Sequence, residues 1–266
     1  MRTTSPNRRL RLAAHVRACE IDGQVILLDL KANRYIGIGG MTSSRLADRV
    51  DGWPARSAEG AQAIDSAFTS VGEDNSLGSS DRLTESLTSR GLLTADNTPR
   101  PSDVRKSPPV AEATASLDLG DIGASSAVGP RQVGTFLCSA IRAAWWLRSR
   151  SLHSIASVVA SRHERHQQRN PQSHRRAGAD PAGFAQMMQC AVVYERLRPL
   201  LLTANEKCLF DSLALMSFLA AEGLFPNWII GVKTGPFGAH SWVQAGPTVL
   251  NDQHDHVRRF RPILVV

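Results

Sequence analysis

The first forty residues alternate between short apolar runs and turn residues. Three β-like runs are visible, HVRACE, QVILLDL and RYIGIGG, and Asp22-Gly23 separates the first two. An Asp-Gly pair between apolar runs favours a β-hairpin, because both of its positions tolerate positive φ. The pattern therefore predicts a three-stranded β-meander over residues 15–40.

Helix-like spacing of apolar residues follows the meander. It occurs over Thr42–Val50, Ala61–Val71 and Asp81–Arg90, and Gly91 stands where the last of these helices should end. Three strands followed by three short helices predict a small α+β domain of winged-helix type within residues 1–96.

The composition changes between residues 97 and 130. This segment contains five prolines among many Ser, Ala and Gly, and few large apolar side chains. Such a segment buries too little apolar surface to offset the entropy lost on ordering. We therefore expect a flexible linker over 97–130, which separates an N-terminal domain (1–96) from a C-terminal domain (131–266).

The C-terminal domain begins with helical patterns and ends with β-like ones. Val133–Ala160 has helical spacing, and Asp180-Pro181 is a capping residue followed by proline at the first helical position. A capping box at residues 203–206, or Asn205 as an alternative cap, starts a helix that runs through CLFDSLALMSFLAAE to Gly223. The runs NWIIGVK, HSWVQ, TVLND and PILVV then predict an antiparallel sheet.

The net charge of the chain does not identify its partner, whereas its cysteines favour a reducing compartment. The formal charge is +7, and residues 142–176 hold eight arginines and one glutamate. This balance suits nucleic acid, an anionic membrane surface or an acidic peptide, and a solvated helical face is the ordinary alternative. Four scattered cysteines without a CxxC pair favour neither disulfides nor a zinc site. We expect a cytoplasmic protein with no export signal and no membrane span.

Three residues near the C-terminus have the types and the order of a catalytic triad. Cys208 falls at a predicted helix start, where the helix dipole lowers the pKa of a thiol. His240 begins a β-like run and is the candidate general base and acid, and Asp252 ends the next run and could orient the imidazole. Each residue also has an ordinary alternative, namely a core cysteine, a strand-end histidine or a turn-forming aspartate.

A metal site is the other chemistry that this region suggests. His254 and His256 flank Asp255, but no second group of ligands with suitable spacing accompanies them. We therefore expect neither a metal nor another cofactor.

The C-terminal motifs resemble the catalytic core of lasso-peptide B proteins, which are transglutaminase-like (papain-like) cysteine peptidases that mature ribosomally made peptides. The resemblance rests on Cys208-Leu209, on Ser212-Leu-Ala-Leu215, on Ile230-Gly-Val232, on Phe237-Gly-Ala-His-Ser-Trp-Val243, and on Asn251-Asp252. The family commonly has AHAWVE where this chain has AHSWVQ, so that Gln244 replaces an acidic residue.

The N-terminal domain is similar to the leader-recognition domain of the same family, which is related to the small peptide chaperone of PQQ biosynthesis. In that family the leader adds as a strand to the third β-strand and packs against the third helix. The resemblance implies a leader site between Arg34–Ile38 and Asp81–Arg90. Its residues would be Arg34, Tyr35 and Ile36 on the strand, and Arg82 and Arg90 as partners for leader carboxylates. Ordinary strand core is the alternative for Tyr35 and Ile36.

The resemblance also implies a function and a set of partners. The substrate would be a lasso precursor peptide, hydrolysed at the leader-core bond by Cys208, His240 and Asp252, and the partner would be an asparagine-synthetase-like, ATP-dependent cyclase. Three alternatives stay open: a transglutaminase-like acyltransferase, a winged-helix nucleic-acid-binding regulator, and a leader-binding scaffold without activity. The third predicted helix, DRLTESLTSR, is not strongly basic, which argues against nucleic acid.

Overall fold

A computed structural model describes six segments of the chain, residues 10–54, 77–95, 110–118, 128–169, 181–200 and 207–266. The chain separates into two compact units. The first comprises Met1–Lys106 with Lys233–Phe237, and the second comprises Ser107–Val232 with Gly238–Val266. None of the helices in these segments has both the length and the apolar character needed to cross a bilayer.

The N-terminal unit is a mixed α+β structure. Its elements are β1 (Leu10–Leu12), β2 (Val16–Ile21), β3 (Gln24–Asp29), β4 (Arg34–Ile38), α1 (Gly40–Ala47), β5 (Val50–Asp51), α2 (Leu77–Ser89) and β6 (Leu93–Thr94). Strands β2, β3 and β4 form the predicted antiparallel meander. Asp22 and Gly23 have φ values of 49° and 74°, as a tight hairpin turn requires.

The helical predictions for this unit are confirmed in part. Helix α1 begins and ends earlier than Thr42–Val50, and Val50 lies in β5 instead. Helix α2 begins before Asp81, and Gly91 follows its end with a φ of 71°. The predicted helix over 61–71 lies outside the described residues. The likeness to a winged helix therefore stays a prediction.

A second small sheet in this unit was not predicted. Strand β1 pairs in parallel with β5 and antiparallel with β6. These strands are two or three residues long, which is too short to give an alternating pattern in the sequence. Leu12, Val50 and Leu93 from this sheet join the core that Leu27 and Leu87 also fill.

The C-terminal unit combines helices with a five-stranded sheet. Its helices are α3 (Pro130–Ser149), α4 (Leu152–Arg169), α5 (Pro181–Leu197), α6 (Cys208–Ala221) and α7 (His254–Val257), and a 3₁₀ turn, Arg198–Leu200, follows α5. Its strands are β7 (Ala115–Ser116), β8 (Asn227–Lys233), β9 (Gly238–Ala245), β10 (Thr248–Val249) and β11 (Arg261–Val265). The strand order is β11-β8-β9-β10-β7.

Pairing in this sheet is antiparallel between β9 and β10 and between β8 and β11, as predicted. Strand β7, however, pairs in parallel with β10, and it comes from the segment that was predicted as linker. The buried amide of Gln244 helps to hold this segment, because its Nε2 donates to the carbonyl oxygen of Ala111 at 2.7 Å. The rest of 97–127 lies outside the described residues, so that the linker and its bounds remain predictions.

Helix α6 is the central element of the unit. It packs against α3 and against β9, and every residue from Asp211 to Leu219 is buried. A helix that is apolar on all sides is typical of such a buried position. Gly223, with a φ of 77°, follows the helix end where the sequence predicts it.

The prediction that Val133–Ala160 is helical is confirmed, but the segment forms two helices, α3 and α4. Arg150 has extended backbone (φ −130°, ψ 149°) and ends α3. The Ser151 hydroxyl then accepts a hydrogen bond from the Ser154 N–H at 3.3 Å and caps α4. The apolar spacing continues across this break, and so the pattern alone did not reveal it. The predicted start of the next helix at Pro181 is confirmed.

Candidate active site

Cys208 is the first residue of α6, after Lys207 at the N-cap. The thiol is therefore close to the backbone N–H groups and the positive end of a long buried helix. The side chain is partly buried, and it lines a cavity of about 660 Å³. Cys208 therefore lies at the N-terminal end of the helix, as the sequence predicts. The predicted caps at residues 203–206 lie outside the described residues, and the helix begins instead after Lys207, which makes no side-chain capping hydrogen bond.

His240 and Asp252 approach Cys208 from the sheet. His240 lies on β9, and its Nε2 is 2.5 Å from Asp252 Oδ2 in the turn between β10 and α7. The imidazole also interacts with the Cys208 thiol, and this interaction shifts the pKa of both groups. Because Nε2 faces the carboxylate, Nδ1 is the ring atom available to the sulfur. Thiol, imidazole and carboxylate thus stand in one row.

The row changes the acidity of all three groups. Burial by itself would raise the pKa of the Cys208 thiol, but hydrogen bonds with His240 and with the Ser241 backbone bring it below its usual value. Burial likewise opposes the charged form of His240, yet the hydrogen bonds to Asp252 and Cys208 raise its pKa to about 9. The pKa of Asp252 falls to about 2, since hydrogen bonds from the two imidazoles of His240 and His256 outweigh its burial.

Aromatic side chains hold the imidazole of His240 in place. The ring stacks on Trp242 with an interplanar angle of 15° and a centroid distance of 6.1 Å. The ring of Phe260 contacts the imidazole at a centroid distance of 5.2 Å. Trp242 fits because Gly231 on β8 has no side chain, and a Cβ there would lie 2.8 Å from the indole.

A buried polar network fixes the three elements of the site to one another. Asp211, one turn after Cys208 on α6, accepts a hydrogen bond from Asn251 Nδ2 at 2.9 Å. Asn251 precedes Asp252, and its Oδ1 accepts the Val243 N–H of β9 at 2.9 Å. The pair Asp211–Asn251 therefore connects the helix of Cys208, the strand of His240 and the turn of Asp252.

Helix α5 and the 3₁₀ turn that follows it complete this network. Tyr194 donates from its hydroxyl to Asp211 Oδ1 at 3.0 Å, and Arg198 lies 3.1 Å from both Asp211 and Glu195. Burial raises the pKa of Asp211 and of Glu195, and the Arg198 guanidinium opposes the rise. Sequence reasoning missed Tyr194, Glu195, Arg198 and Asp211. The one signal for them was an aspartate in an otherwise apolar helix.

Two buried serines join α6 to β9 directly behind the thiol. Ser212 Oγ and Ser241 Oγ are 2.8 Å apart. Trp228 Nε1 donates to Ser241 Oγ, also at 2.8 Å. Ser241 is the serine of the AHSWVQ motif, so this variant of the motif supplies a hydroxyl to the helix interface.

The cavity beside Cys208 is lined mainly by polar and charged residues. Its charged and polar lining includes Glu195, Arg198, Asn251, Asp255 and Arg259, and Leu117 from the segment after β7 also contributes. Such a surface suits a peptide backbone, which needs hydrogen bonds along its length. The arrangement can therefore present a peptide carbonyl to an activated sulfur.

The structure separates the two histidines that the sequence suggests as a metal pair. His254 is bound to Ser116, with 2.9 Å between Nδ1 and Oγ. His256 instead lies 3.0 Å from Asp252 Oδ2 through its Nδ1. His240, Asp252 and His256 form a donor set that could hold a metal ion.

The five predicted leader-binding residues lie in the N-terminal unit. On β4, Arg34 is exposed, whereas Tyr35 and Ile36 are half-buried, and Ile36 packs against the core. Arg82 on α2 and Arg90 just after it are exposed. Among the described residues, β4 pairs with β3 alone, and the ring of Tyr35 contacts that of Phe237 at a centroid distance of 5.4 Å.

Comparisons with known proteins find one family and one curated relative. Residues 137–265 match the transglutaminase-like superfamily. A 45-residue stretch is 44% identical to the microcin J25-processing protein McjB of Escherichia coli, and it covers 17% of this chain and 22% of that protein. The match thus spans about a fifth of the relative's length. No solved structure matches the chain. The two matches support a lasso peptide biosynthesis B protein, the family that the sequence resembles.

Proposed function

We propose that this protein, with its transglutaminase-like domain, is a leader peptidase that hydrolyses the leader-core bond of a lasso precursor peptide. The observation that carries the proposal is the row Cys208–His240–Asp252 at the edge of a polar cavity. The relative's name describes processing of microcin J25, which favours a peptide substrate.

The chemistry follows from the positions of the three groups. Cys208 attacks the scissile carbonyl as a thiolate, while His240 keeps the thiol proton and then gives it to the leaving amine. This step forms a thioester with the leader and releases the core. Water, deprotonated by His240, then cleaves the thioester to the leader acid. Asp252 holds the imidazole in the tautomer that both steps need.

Stabilisation of the tetrahedral oxyanion is assigned to the start of α6. Backbone N–H groups in the first turn of a helix have no partner within the helix. A carbonyl oxygen beside Cys208 would accept a hydrogen bond from such a group, and this bond strengthens as negative charge develops.

Leader recognition is assigned to the N-terminal unit. The leader would add as a strand to the edge of β4 that pairs with no described strand, and Tyr35 and Ile36 would lie beneath it. The exposed guanidinium groups of Arg34, Arg82 and Arg90 would pair with leader carboxylates. The segment 97–109 tethers recognition to catalysis and so raises the effective concentration of the cleavage site.

The product of this reaction needs a further enzyme. Hydrolysis frees the amino group of the core, and closing a macrolactam on it requires activation of a carboxylate. An ATP-dependent, asparagine-synthetase-like cyclase is the partner that the family resemblance implies.

Mass spectrometry of a lasso precursor peptide incubated with the protein tests the proposal. The wild-type protein is expected to give leader acid and free core, and Cys208→Ala none. Cys138→Ala is the matched control, because Cys138 is exposed on α3 and should be dispensable. Full cleavage by Cys208→Ala, or no cleavage by any of the three proteins, would refute the assignment.

Acyl transfer is the second candidate, and the transglutaminase-like match favours it. The same thioester would then be resolved by an amine instead of water. Adding a labelled primary amine to the same reaction separates the two. Labelled leader in excess over leader acid would indicate a transferase.

A further inference from the structure

His256 brings a second imidazole to the carboxylate of the candidate triad. Its Nδ1 lies 3.0 Å from Asp252 Oδ2, the same oxygen atom that His240 Nε2 contacts at 2.5 Å. The three donor atoms lie within 4.8 Å of one another. The proposed hydrolysis uses His240 and Asp252 but gives no role to His256.

This donor set fits a transition-metal ion better than it fits calcium or magnesium. Imidazole nitrogen with carboxylate oxygen is a common ligand set of zinc, whereas calcium and magnesium prefer oxygen alone. Zinc bonds of about 2.0–2.2 Å in tetrahedral geometry put the donor atoms roughly 3.4 Å apart. Shifts of about 1 Å would bring the three atoms to that spacing.

The set is also reachable and leaves room for a fourth ligand. All three residues line the cavity, and the side chain of His256 is 43% exposed. His240 and Asp252 already lie side by side, so two of the three ligands are within about 1 Å of the spacing that a zinc ion needs. Water from the cavity would complete a tetrahedral site.

We propose that His240, Asp252 and His256 form an inhibitory binding site for zinc. The ion replaces the protons that the two imidazoles donate to Asp252. Zinc on Nε2 makes Nδ1 of His240 a weaker base, so His240 no longer accepts the Cys208 proton. Binding of zinc does not depend on the proposed peptidase activity, whereas the inhibition rests on it.

A competing site would consist of the Cys208 thiolate with His240. Zinc also binds this pair of ligands, and it would inhibit in the same way. The two sites use different atoms. The proposed site uses Nε2 of His240, whereas the Cys208 sulfur lies on the Nδ1 side of the ring and is not a ligand. Replacing Cys208 therefore distinguishes them.

The binding test uses the full chain carrying Cys208→Ala and Cys138→Ser, so that zinc on an exposed thiol is not counted. Zinc chloride is titrated against a chromophoric chelator of known affinity. We expect one bound zinc ion, and at least tenfold weaker binding after His256→Ala or His256→Gln. The glutamine variant retains a donor for Asp252 and controls for loss of that hydrogen bond. His254→Ala, two residues away, is expected to bind zinc normally.

Either of two results would overturn the proposal. One is no zinc uptake by the Cys208→Ala background. If the wild-type protein then still binds zinc, its ligand is the thiol. The other is uptake that both His256 variants leave unchanged. Thermal unfolding with and without zinc shows whether each variant is folded, since a ligand of the folded state raises the midpoint.

Activity provides a separate readout. Zinc should inhibit precursor cleavage by the wild-type protein, a chelator should restore it, and His256→Gln should need at least tenfold more zinc for half-inhibition. Equal sensitivity of the two proteins would also overturn the proposal. If the protein proves to have no peptidase activity, the binding titration still decides whether the zinc site exists.

Discussion

At the scale of single residues, the thiol and the imidazole of the site depend on each other for their charge. Although burial disfavours both charged forms, the pKa of Cys208 is lowered and that of His240 is raised to about 9. Between these two values the pair exists as thiolate and imidazolium, which is the reactive form of a cysteine nucleophile. Below the pKa of Cys208 the thiolate is lost, and above that of His240 the proton for the leaving amine is lost.

The pH dependence of precursor cleavage is the first prediction. We expect kcat/KM to fall on the alkaline side with a midpoint near pH 9. In Asp252→Asn this limb should move to lower pH, because the carboxylate that helps to raise the pKa of His240 is gone. The rate should also fall about 10²–10⁴-fold. A pH profile of kcat/KM for both proteins checks this, and an alkaline limb that stays in place would contradict it.

The second prediction concerns the contact between Gly231 and Trp242. A Cβ at residue 231 would lie 2.8 Å from the indole and from the Cβ of Phe260. Gly231→Ala should therefore destabilise the domain by about 1–3 kcal/mol through overpacking. Denaturant unfolding measures the change. The control Gly134→Ala lies on α3 with no atom within 4 Å of its Cβ, and it should be neutral or slightly stabilising.

At the scale of elements, the site is assembled by contacts between parts of the chain that are far apart in sequence. Asp211 on α6 and Asn251 before Asp252 are forty residues apart, and their hydrogen bond is buried. Because the Oδ1 of Asn251 accepts from the Val243 N–H of β9, one amide positions all three elements. The geometry of the triad therefore depends on a residue that does none of the chemistry.

Asn251→Ala is the third prediction. It leaves the Val243 N–H and one Asp211 oxygen without this partner in a buried place, which costs about 1–3 kcal/mol. The turn of Asp252 also loses its anchor, so kcat should fall more than KM changes. Unfolding and steady-state kinetics measure the two effects. Asn227→Ala, at the partly exposed start of β8, is the matched control, and the prediction is wrong if the two variants behave alike.

Elements with a local signal were predictable. The Asp22-Gly23 turn, the start of α6 at Cys208 and the strand of His240 each follow from residues within a few positions of one another. Their signals are turn chemistry and apolar spacing, which act over short distances along the chain. The predicted cap did not mark the start of α6, because the N-cap is Lys207.

Elements that depend on distant partners were missed. Strand β7 is two residues long and is stabilised by β10, more than a hundred residues away. The hydrogen-bond partners of Asp211, Tyr194 on α5 and Arg198 in the 3₁₀ turn after it, likewise have no local signature. The break at Arg150 was missed for another reason, since Ser151 caps α4 while the apolar pattern continues unbroken.

At the scale of the whole molecule, the proposed activity needs both units of the chain. The N-terminal unit would bind the leader, and the C-terminal unit would cleave it. Since the two are one chain, the leader need bind only weakly for its cleavage site to be present at high local concentration. A peptide without a leader lacks this advantage and should be a poor substrate.

Charge reversal on the leader-binding surface is the last prediction. Arg82 and Arg90 are exposed on and beside α2, and the proposed leader contributes carboxylates. Arg82→Glu with Arg90→Glu should raise KM for the full precursor by roughly tenfold at low salt, because two attractive contacts become repulsive. The effect should shrink as salt screens the charges.

The substrate provides the control for this prediction. Cleavage of a leaderless peptide does not use the N-terminal unit, so the double variant should process it at the wild-type rate. Arg148→Glu, an equally exposed charge reversal on α3, should leave the full precursor unaffected. If the double variant loses activity equally on both peptides, the arginines act on catalysis or folding instead. If it loses activity on neither, the leader is recognised elsewhere and the role of β4 falls with it.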